Sequence, residues 1–233
     1  MVLVSHTHEF IFMKTHKTAS TSVEMFFERY CVPKDHSTGS EAVFETVSEV
    51  GIVGARRSGK RRGDIWRNHA TAEHVRGHLA AGLWERYLKF TTVRNPYAQV
   101  LSNFFWLSRL KPADSMDELL RQKRKFARFV HGRRFLGYRK LVQRNKCSND
   151  FDIVAVDGAV AMDQFIRFEH LHEDLGRVCA ELGLPFDEAI LPHTKKNPPM
   201  QFAPSAYYTD ELVARVRQDF GWVFDRFDYA MLA

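Results

Sequence analysis

The residues most suited to chemistry lie near the start of the chain, in the segment FIFMKTHKTASTSVE at residues 10–24. An apolar run leads into Lys14 and Lys17. Four hydroxyl side chains then follow within five residues, namely Thr18, Ser20, Thr21 and Ser22. A loop between a strand and a helix presents backbone N–H groups without intrahelical partners, and the helix dipole favours an anion there. The segment, including the backbone of Ala19, therefore predicts a phosphate or sulfate site; an ordinary serine- and threonine-rich helix cap is the alternative.

The same loop differs from that of the nucleoside triphosphatases. Their pattern G-x-x-x-x-G-K-[ST] needs glycines, whereas this loop has none, and its second lysine precedes the small residues. Phosphoryl transfer also normally needs an acidic Mg²⁺ ligand, and none is recognisable at a strand end in the sequence. A P-loop-like nucleotide-dependent kinase is therefore the less favoured alternative.

A second candidate element is the segment FTTVRNPYAQVLSNFF at residues 90–105. Arg94 ends an apolar strand, and its planar guanidinium suits a phosphate, although a buried structural ion pair is the alternative. Ser102 follows about two helical turns later, which predicts that it faces the same side as the helix N-terminus.

Together the two elements resemble sulfotransferases that use 3′-phosphoadenosine 5′-phosphosulfate (PAPS). KTHKTASTS looks like their 5′-phosphosulfate loop, and KTASTS is especially similar to the loop of glycosaminoglycan 2-O-sulfotransferases and bacterial sulfotransferase proteins. The segment at 90–105 resembles their 3′-phosphate element. FIRFEHLHEDLGRVCAELGLP and the tail FGWVFDRFDYAML are similar to further family segments. The resemblance covers most of the chain and implies one sulfotransferase domain over residues 1–233 with a P-loop-like fold.

The resemblance also implies roles for individual residues. PAPS would be the sulfuryl donor, with no metal. Arg94 and Ser102 would hold its 3′-phosphate, and Lys196, in the segment HTKKNPP, would close over the nucleotide. We expect Lys17 to stabilise charge on the leaving oxygen, as a fixed cation in a dry site does, and Lys14 to support the phosphate. The remaining loop contacts to the donor are those of Thr18, Ala19, Ser20, Thr21 and Ser22.

The acceptor hydroxyl must lose a proton, and a histidine has a pKa close to the working pH. We expect His69 in RNHATAEHVR to be this base, because it lies just before a helix that Thr71 would cap and resembles the base histidine of the 2-O-sulfotransferases. A hydrogen-bonded structural histidine is the alternative for His69. Glu24 is the alternative base, or else a group that orients Lys17.

The positive charge of the chain is concentrated in one tract. The net charge is +6, yet residues 121–146 carry eleven Lys/Arg and no acidic residue, so the rest sums to −5. This tract and RRSGKRR at 56–62, which reads as an exposed loop, are either solvated surface or a platform for a polyanion. An anionic carbohydrate acceptor fits the resemblance, but a sugar, a lipid head group or a small metabolite stays open. A basic nucleic-acid-binding module is the competing class, although the hydroxyl loop would then lack a purpose.

Strands alternate with helices along the chain. Apolar strands at 10–13, 90–93 and 165–168 each precede a helical pattern, and Thr209 would cap a terminal helix. The predicted class is α/β, with a central, mostly parallel sheet flanked by helices.

Composition limits the remaining possibilities. The 233 residues, 45% hydrophobic, suffice for one buried core. Cys31, Cys147 and Cys179 are too far apart for a disulfide framework, and the eleven histidines lack metal-site spacing. No signal or membrane-spanning segment is recognisable, so we expect a cytoplasmic protein with reduced thiols.

Overall fold

The computed structural model describes residues 1–35, 44–56, 65–132, 149–187 and 200–231. These residues form two compact units. The first consists of the described residues of Met1–Val93 and Asp150–Thr194, and the second of those in Arg94–Asn149 and Lys195–Ala233.

Eight strands and nine α-helices occur in the described residues. The strands are β1 (Val2–Ser5), β2 (Phe10–Met13), β3 (Thr46–Val47), β4 (Gly51–Val53), β5 (Leu88–Val93), β6 (Ala155–Val156), β7 (Ala159–Val160) and β8 (Gln164–Arg167). The helices are α1 (Ser20–Phe27), α2 (Ala72–His78), α3 (Leu83–Arg86), α4 (Pro96–Ser108), α5 (Met116–Val130), α6 (Phe151–Val154), α7 (Leu171–Glu181), α8 (Asp210–Asp219) and α9 (Gly221–Phe224).

The first unit contains a six-stranded sheet of order β3-β4-β1-β2-β5-β8. The α/β class is confirmed, but the prediction of a mostly parallel sheet is wrong. Only β2–β5 and β5–β8 pair in parallel, whereas β1–β2, β1–β4 and β3–β4 are antiparallel. The reason is local: residues 6–9 between β1 and β2 are too few for the crossover that parallel strands need. The strand β1, with the sequence VLVS, was not predicted.

The predicted helix starts are confirmed by their caps. Thr71 Oγ1 accepts a hydrogen bond from the N–H of His74 at 3.2 Å, and Asn95 Oδ1 accepts one from Tyr97 at 3.0 Å. Thr209 Oγ1 accepts from the N–H of Leu212 at 3.4 Å. All three predicted strands occur, although β5 begins two residues earlier than expected and β8 is shifted by one residue toward the N-terminus. The capping side chains therefore determine where these three helices begin.

The core of the first unit lies between the sheet and two helices. Phe10 and Phe12 alternate onto one face of β2, where they meet Phe90 of β5 at ring-centroid distances of 5.6 and 5.3 Å. Phe27 of α1 lies 4.8 Å from Phe90. Leu175, Val178 and Cys179 of α7 belong to the same buried cluster. The packing of α1 on the sheet fixes the position of its first residue relative to the end of β2.

The second unit contains α4, α5, α8 and α9. The helix α5 was not predicted, because its first half is dominated by charge; its buried residues are Leu119, Gln122, Phe126 and Val130. Their spacing of three and four residues places them along one side of the helix. Arg124, Lys125 and Arg128 are exposed. The part of the basic tract beyond residue 132 lies outside the described residues, as do Cys147 and Lys196.

Candidate functional site

The predicted anion-binding segment lies in the first unit, between the last residue of β2 and the first of α1. Lys17 and Ala19 both have φ of 60°, a left-handed conformation that non-glycine residues adopt at a cost of about 1–2 kcal/mol each. Ala19 is followed by helical Ser20. A left-handed residue followed by a right-handed one turns successive backbone N–H groups toward one concave side, which favours an anion. The loop achieves this shape without glycine.

Three hydrogen bonds hold the loop in its left-handed shape. The backbone N–H of His16 donates to Asp150 Oδ2 at 3.0 Å. The Thr18 hydroxyl lies 2.7 Å from that of Thr92 on β5. Ser20 Oγ donates to the carbonyl of Thr15 at 2.7 Å. These three hydrogen bonds between protein groups offset the backbone strain of Lys17 and Ala19.

The hydroxyls of Thr18 and Ser20, which were predicted to be anion donors, therefore have partners inside the protein. Thr15, Thr18 and Thr92 form a cluster of three buried hydroxyls, in which Thr15 also donates to the carbonyl of Thr92 at 2.6 Å. The single proton of the Ser20 hydroxyl is used on Thr15. Thr21 is half-buried at the start of α1 and Ser22 is buried. An anion at this loop would hence meet backbone N–H groups more than the hydroxyls of Thr18 and Ser20.

Lys14 belongs to a buried network of charges. Its Nζ lies 2.5 Å from Glu24 Oε2, and Glu24 Oε1 accepts from Arg56 Nε at 2.5 Å. Arg56 also pairs with Glu28. Two cations thus balance two carboxylates. Arg56, at the start of the run predicted to be an exposed loop, is only 12% exposed at its side chain; residues 57–62 of that run lie outside the described residues.

The network changes the interpretation of Glu24. Its side chain is fully buried on α1 and accepts from Lys14 and Arg56, rather than orienting Lys17. Both of its carboxylate oxygens therefore accept from cations inside the protein, which leaves Glu24 poorly placed to meet an acceptor hydroxyl.

His69 lies next to the loop, as its predicted role requires. Its Nδ1 is 3.0 Å from the carbonyl of Lys14, and since a carbonyl can only accept, Nδ1 carries the proton and Nε2 the lone pair. Burial, and next the nearby His16, lower the pKa of His69 to about 2. The expectation of a histidine with a pKa near the working pH therefore does not describe His69.

The pairing of His16 with Asp150 was not predicted from the sequence. His16 Nδ1 lies 2.5 Å from Asp150 Oδ1, and the His16 ring stacks on that of His69 with a centroid distance of 3.7 Å and an angle of 14°. Asp150 is buried, and 134 residues separate it from His16 along the chain. The position of His16 between two lysines was a usable signal, but its aspartate partner was not predictable from spacing.

Arg94 and Ser102 belong to the second unit. Arg94 is the residue that follows β5, and Ser102 lies in the second turn of α4; both are half-buried. Asn95 between them caps α4 and donates through Nδ2 to the carbonyl of Ala230 at 2.7 Å. The cap therefore joins the helix start to the chain's tail within this unit.

No protein-family model, curated protein or solved structure matches this chain. Within the described ranges, no three His, Cys, Asp or Glu residues group closely enough to hold a metal ion. Over the same ranges, no helix has the length and apolar character needed to cross a membrane.

Proposed function

We propose that this chain is a PAPS-dependent sulfotransferase with a P-loop-like fold that sulfates an acceptor hydroxyl. The observation that carries the proposal is the turn between β2 and α1, where left-handed Ala19 precedes helical Ser20 at the start of an eight-residue helix. Backbone N–H groups and the nearby Lys17 are donors, and a phosphosulfate group offers only acceptors. The loop's chemistry thus fits the 5′ end of PAPS.

The proposed reaction makes modest demands on the protein. PAPS supplies a sulfuryl group activated by its bond to a phosphate. The acceptor oxygen forms a bond to sulfur, while the bond from sulfur to the bridging oxygen breaks and its electron pair stays on the 5′-phosphate. Lys17 stabilises the negative charge on that oxygen. Positioning and charge neutralisation provide the remaining catalysis, as in phosphoryl transfer.

The 3′-phosphate of the donor is assigned to Arg94 and Ser102. Arg94 directly precedes the capped start of α4, and a guanidinium fork matches two phosphate oxygens. Lys196 is proposed to close over the nucleotide, on the strength of the family resemblance alone. The acceptor class proposed is a carbohydrate, with sugars in general, lipid head groups and small metabolites as the alternatives.

Ligand-induced thermal stabilisation tests the nucleotide assignment. The desulfated product 3′-phosphoadenosine 5′-phosphate (PAP) should raise the melting temperature more than Mg-ATP or a DNA oligomer at equal concentration, because a ligand stabilises the state it binds. Greater stabilisation by Mg-ATP would indicate a kinase-like protein instead. Greater stabilisation by DNA would indicate a nucleic-acid-binding module.

The variant Lys17→Ala tests the catalytic assignment. Release of PAP from labelled PAPS should be lost in the presence of dextran, a monosaccharide or 4-nitrophenol as acceptor, while the melting temperature changes little. Lys34→Ala, which alters an exposed lysine, is the matched control and should keep full turnover. Unchanged turnover in Lys17→Ala would remove this lysine from the mechanism.

The variant Arg94→Ala tests the 3′-phosphate contact. PAP affinity should fall by about 1.5–3 kcal/mol, the scale of a hydrogen bond to a charged group. Adenosine 5′-phosphosulfate, which lacks the 3′-phosphate, should bind wild type and variant almost equally in calorimetric titrations. An equal loss for both nucleotides would show that Arg94 does not contact the 3′-phosphate.

A further inference from the structure

Two contacts fix the orientation of the His16 imidazole: a hydrogen bond at the edge of the ring and a stacking contact on one of its faces. Asp150 accepts both the backbone N–H of His16, at 3.0 Å, and its ring Nδ1–H, at 2.5 Å. His69 covers one face of the ring at a centroid distance of 3.7 Å. The side chain of His16 is still 33% exposed, whereas that of Asp150 is 2% exposed. A buried carboxylate therefore orients a histidine that solvent can reach.

This arrangement determines which nitrogen can accept a proton. Ionised Asp150 has no proton to donate, so Nδ1 of neutral His16 carries the hydrogen and Nε2 carries the lone pair. A carboxylate behind a histidine fixes the tautomer and stabilises the imidazolium that forms when the ring takes a proton. It also fixes the ring orientation. These are the requirements for a general base.

The two groups expected from sequence to be the base are less suitable. Glu24 is fully buried and pairs with two cations. His69 donates its Nδ1–H to a neutral carbonyl, and a carbonyl stabilises an imidazolium less than a carboxylate does. Because burial lowers the pKa of His69 to about 2, this ring stays neutral and does not add a second positive charge beside a protonated His16.

We propose that His16 is the catalytic base and that Asp150 is its positioning residue; this inference rests on the proposed sulfotransferase function. His16 Nε2 takes the proton of the acceptor hydroxyl as the bond from the acceptor oxygen to sulfur forms. The bond from sulfur to the bridging oxygen breaks, and its electron pair stays on the 5′-phosphate beside Lys17. His16 later releases the proton to solvent. Asp150 contacts the ring at its Nδ1 edge and His69 contacts one ring face, and Lys17 is the next residue along the chain.

Kinetics of His16→Gln give the direct test. PAP release from PAPS with dextran or 4-nitrophenol as acceptor should fall about 10²- to 10⁴-fold, the usual contribution of a general base. PAP affinity should change less than about threefold, since the proton acceptor does not bind the nucleotide. The acid-side decline of the pH–rate profile should disappear in His16→Gln and persist in His69→Asn. Turnover within threefold of wild type, with an unchanged profile, would overturn the inference.

Asp150 needs a readout that a purely structural residue would not change. Asp150→Asn should lower turnover about 10- to 100-fold and move the acid-side decline, as for other partners of functional histidines. Asp150→Glu should recover part of the rate, because a carboxylate is restored. His170→Gln, which alters a histidine that is half exposed, is the control and should match wild type. An unmoved pH profile in Asp150→Asn would overturn its positioning role.

Nuclear magnetic resonance tests the geometry without turnover. In protein with ¹⁵N-labelled imidazoles at mildly alkaline pH, His16 should show a protonated Nδ1 and an unprotonated Nε2, and Asp150→Asn should shift both resonances. A protonated Nε2 would overturn the inference. If wild type neither binds PAP nor releases it from PAPS, both proposals fail. If wild type does both and His16→Gln is unaffected, only the assignment of the base fails.

Discussion

The chemical properties of the two histidines at the loop depend on the groups that they contact. His69 and His16 are in stacking contact, yet one donates to a carbonyl and the other to a carboxylate. Identical side chains therefore differ in the group that accepts their Nδ1–H. The sequence favoured His69 as the base, whereas the partner of Nδ1, which only the fold reveals, favours His16.

The lowered pKa of His69 predicts a dependence of stability on pH. Its pKa is about 2 in the folded chain and close to the model-peptide value of 6.5 when unfolded. Above pH 6.5 the His69 imidazole is neutral in both the folded and the unfolded state, so it does not change the free energy of unfolding. Below it the unfolded state binds a proton that the folded state does not, so the free energy of unfolding should fall by about 1.4 kcal/mol per pH unit.

Urea denaturation of wild type and His69→Asn checks this linkage. Asparagine suits the left-handed backbone at this position, where φ is 54°, and keeps a donor for the Lys14 carbonyl. As the pH falls from neutral toward about 5, the free energy of unfolding of wild type should fall relative to that of His69→Asn, since only wild type has this proton to exclude. A difference that is constant with pH would mean that His69 titrates normally.

At the scale of elements, the helix α1 is joined to the rest of the first unit by charge as well as by its aromatic face. Glu24 on this helix pairs with Lys14 and Arg56, and Glu28, the residue directly after the helix, pairs with Arg56. The same helix start carries the proposed anion site. Loss of these ion pairs should therefore weaken the fold close to that site.

Glu24→Gln should destabilise the protein by about 3–5 kcal/mol, because it leaves buried cations without their full counter-charge. Asp219→Asn is the control: it removes an i,i+4 partner of Arg215 at 2.7 Å on the more exposed helix α8. That pair should contribute only about 0.3–0.5 kcal/mol. Denaturant unfolding of both variants compares them, and equal losses would contradict the special weight given to the buried network.

At the scale of the whole molecule, charge is unevenly distributed along the chain. The tract 121–146 holds eleven Lys/Arg, against −5 for all other residues. Its described portion lies largely in α5, which is in the second unit. A cation-exchange resin responds to such a local concentration of charge more than to net charge.

Arg124→Glu combined with Arg128→Glu should elute from a cation-exchange column at clearly lower salt than wild type. Arg76→Glu combined with Arg86→Glu changes the net charge equally, but at exposed positions of the first unit. Elution of this control should shift less, because its charges lie outside the basic tract. Equal shifts for the two variants would mean that α5 has no special role in retention.

The fold was predictable wherever local chemistry decides. The periodicity of α4 and the caps Thr71, Asn95 and Thr209 were readable, because their partners lie within a few residues. The strand β1, which forms a hairpin with β2, was not predicted because such a short apolar run shows no clear hydrophobic periodicity. In the site, the loop was found from residue types, but the contacts of His16 with Asp150 and of Glu24 with Arg56 join distant segments. Only the folded chain brings such partners together.

The cluster of Thr15, Thr18 and Thr92 also affects the thermodynamics of ligand capture. These hydroxyls tie the loop to β5 before any ligand arrives, so the conformational entropy of ordering the loop is lost during folding. Calorimetry should then record a favourable enthalpy of association with a small opposing entropy. Replacing Thr92 by valine would transfer that entropic cost to the binding step, and the resulting weaker affinity would originate at a residue that need not touch the ligand.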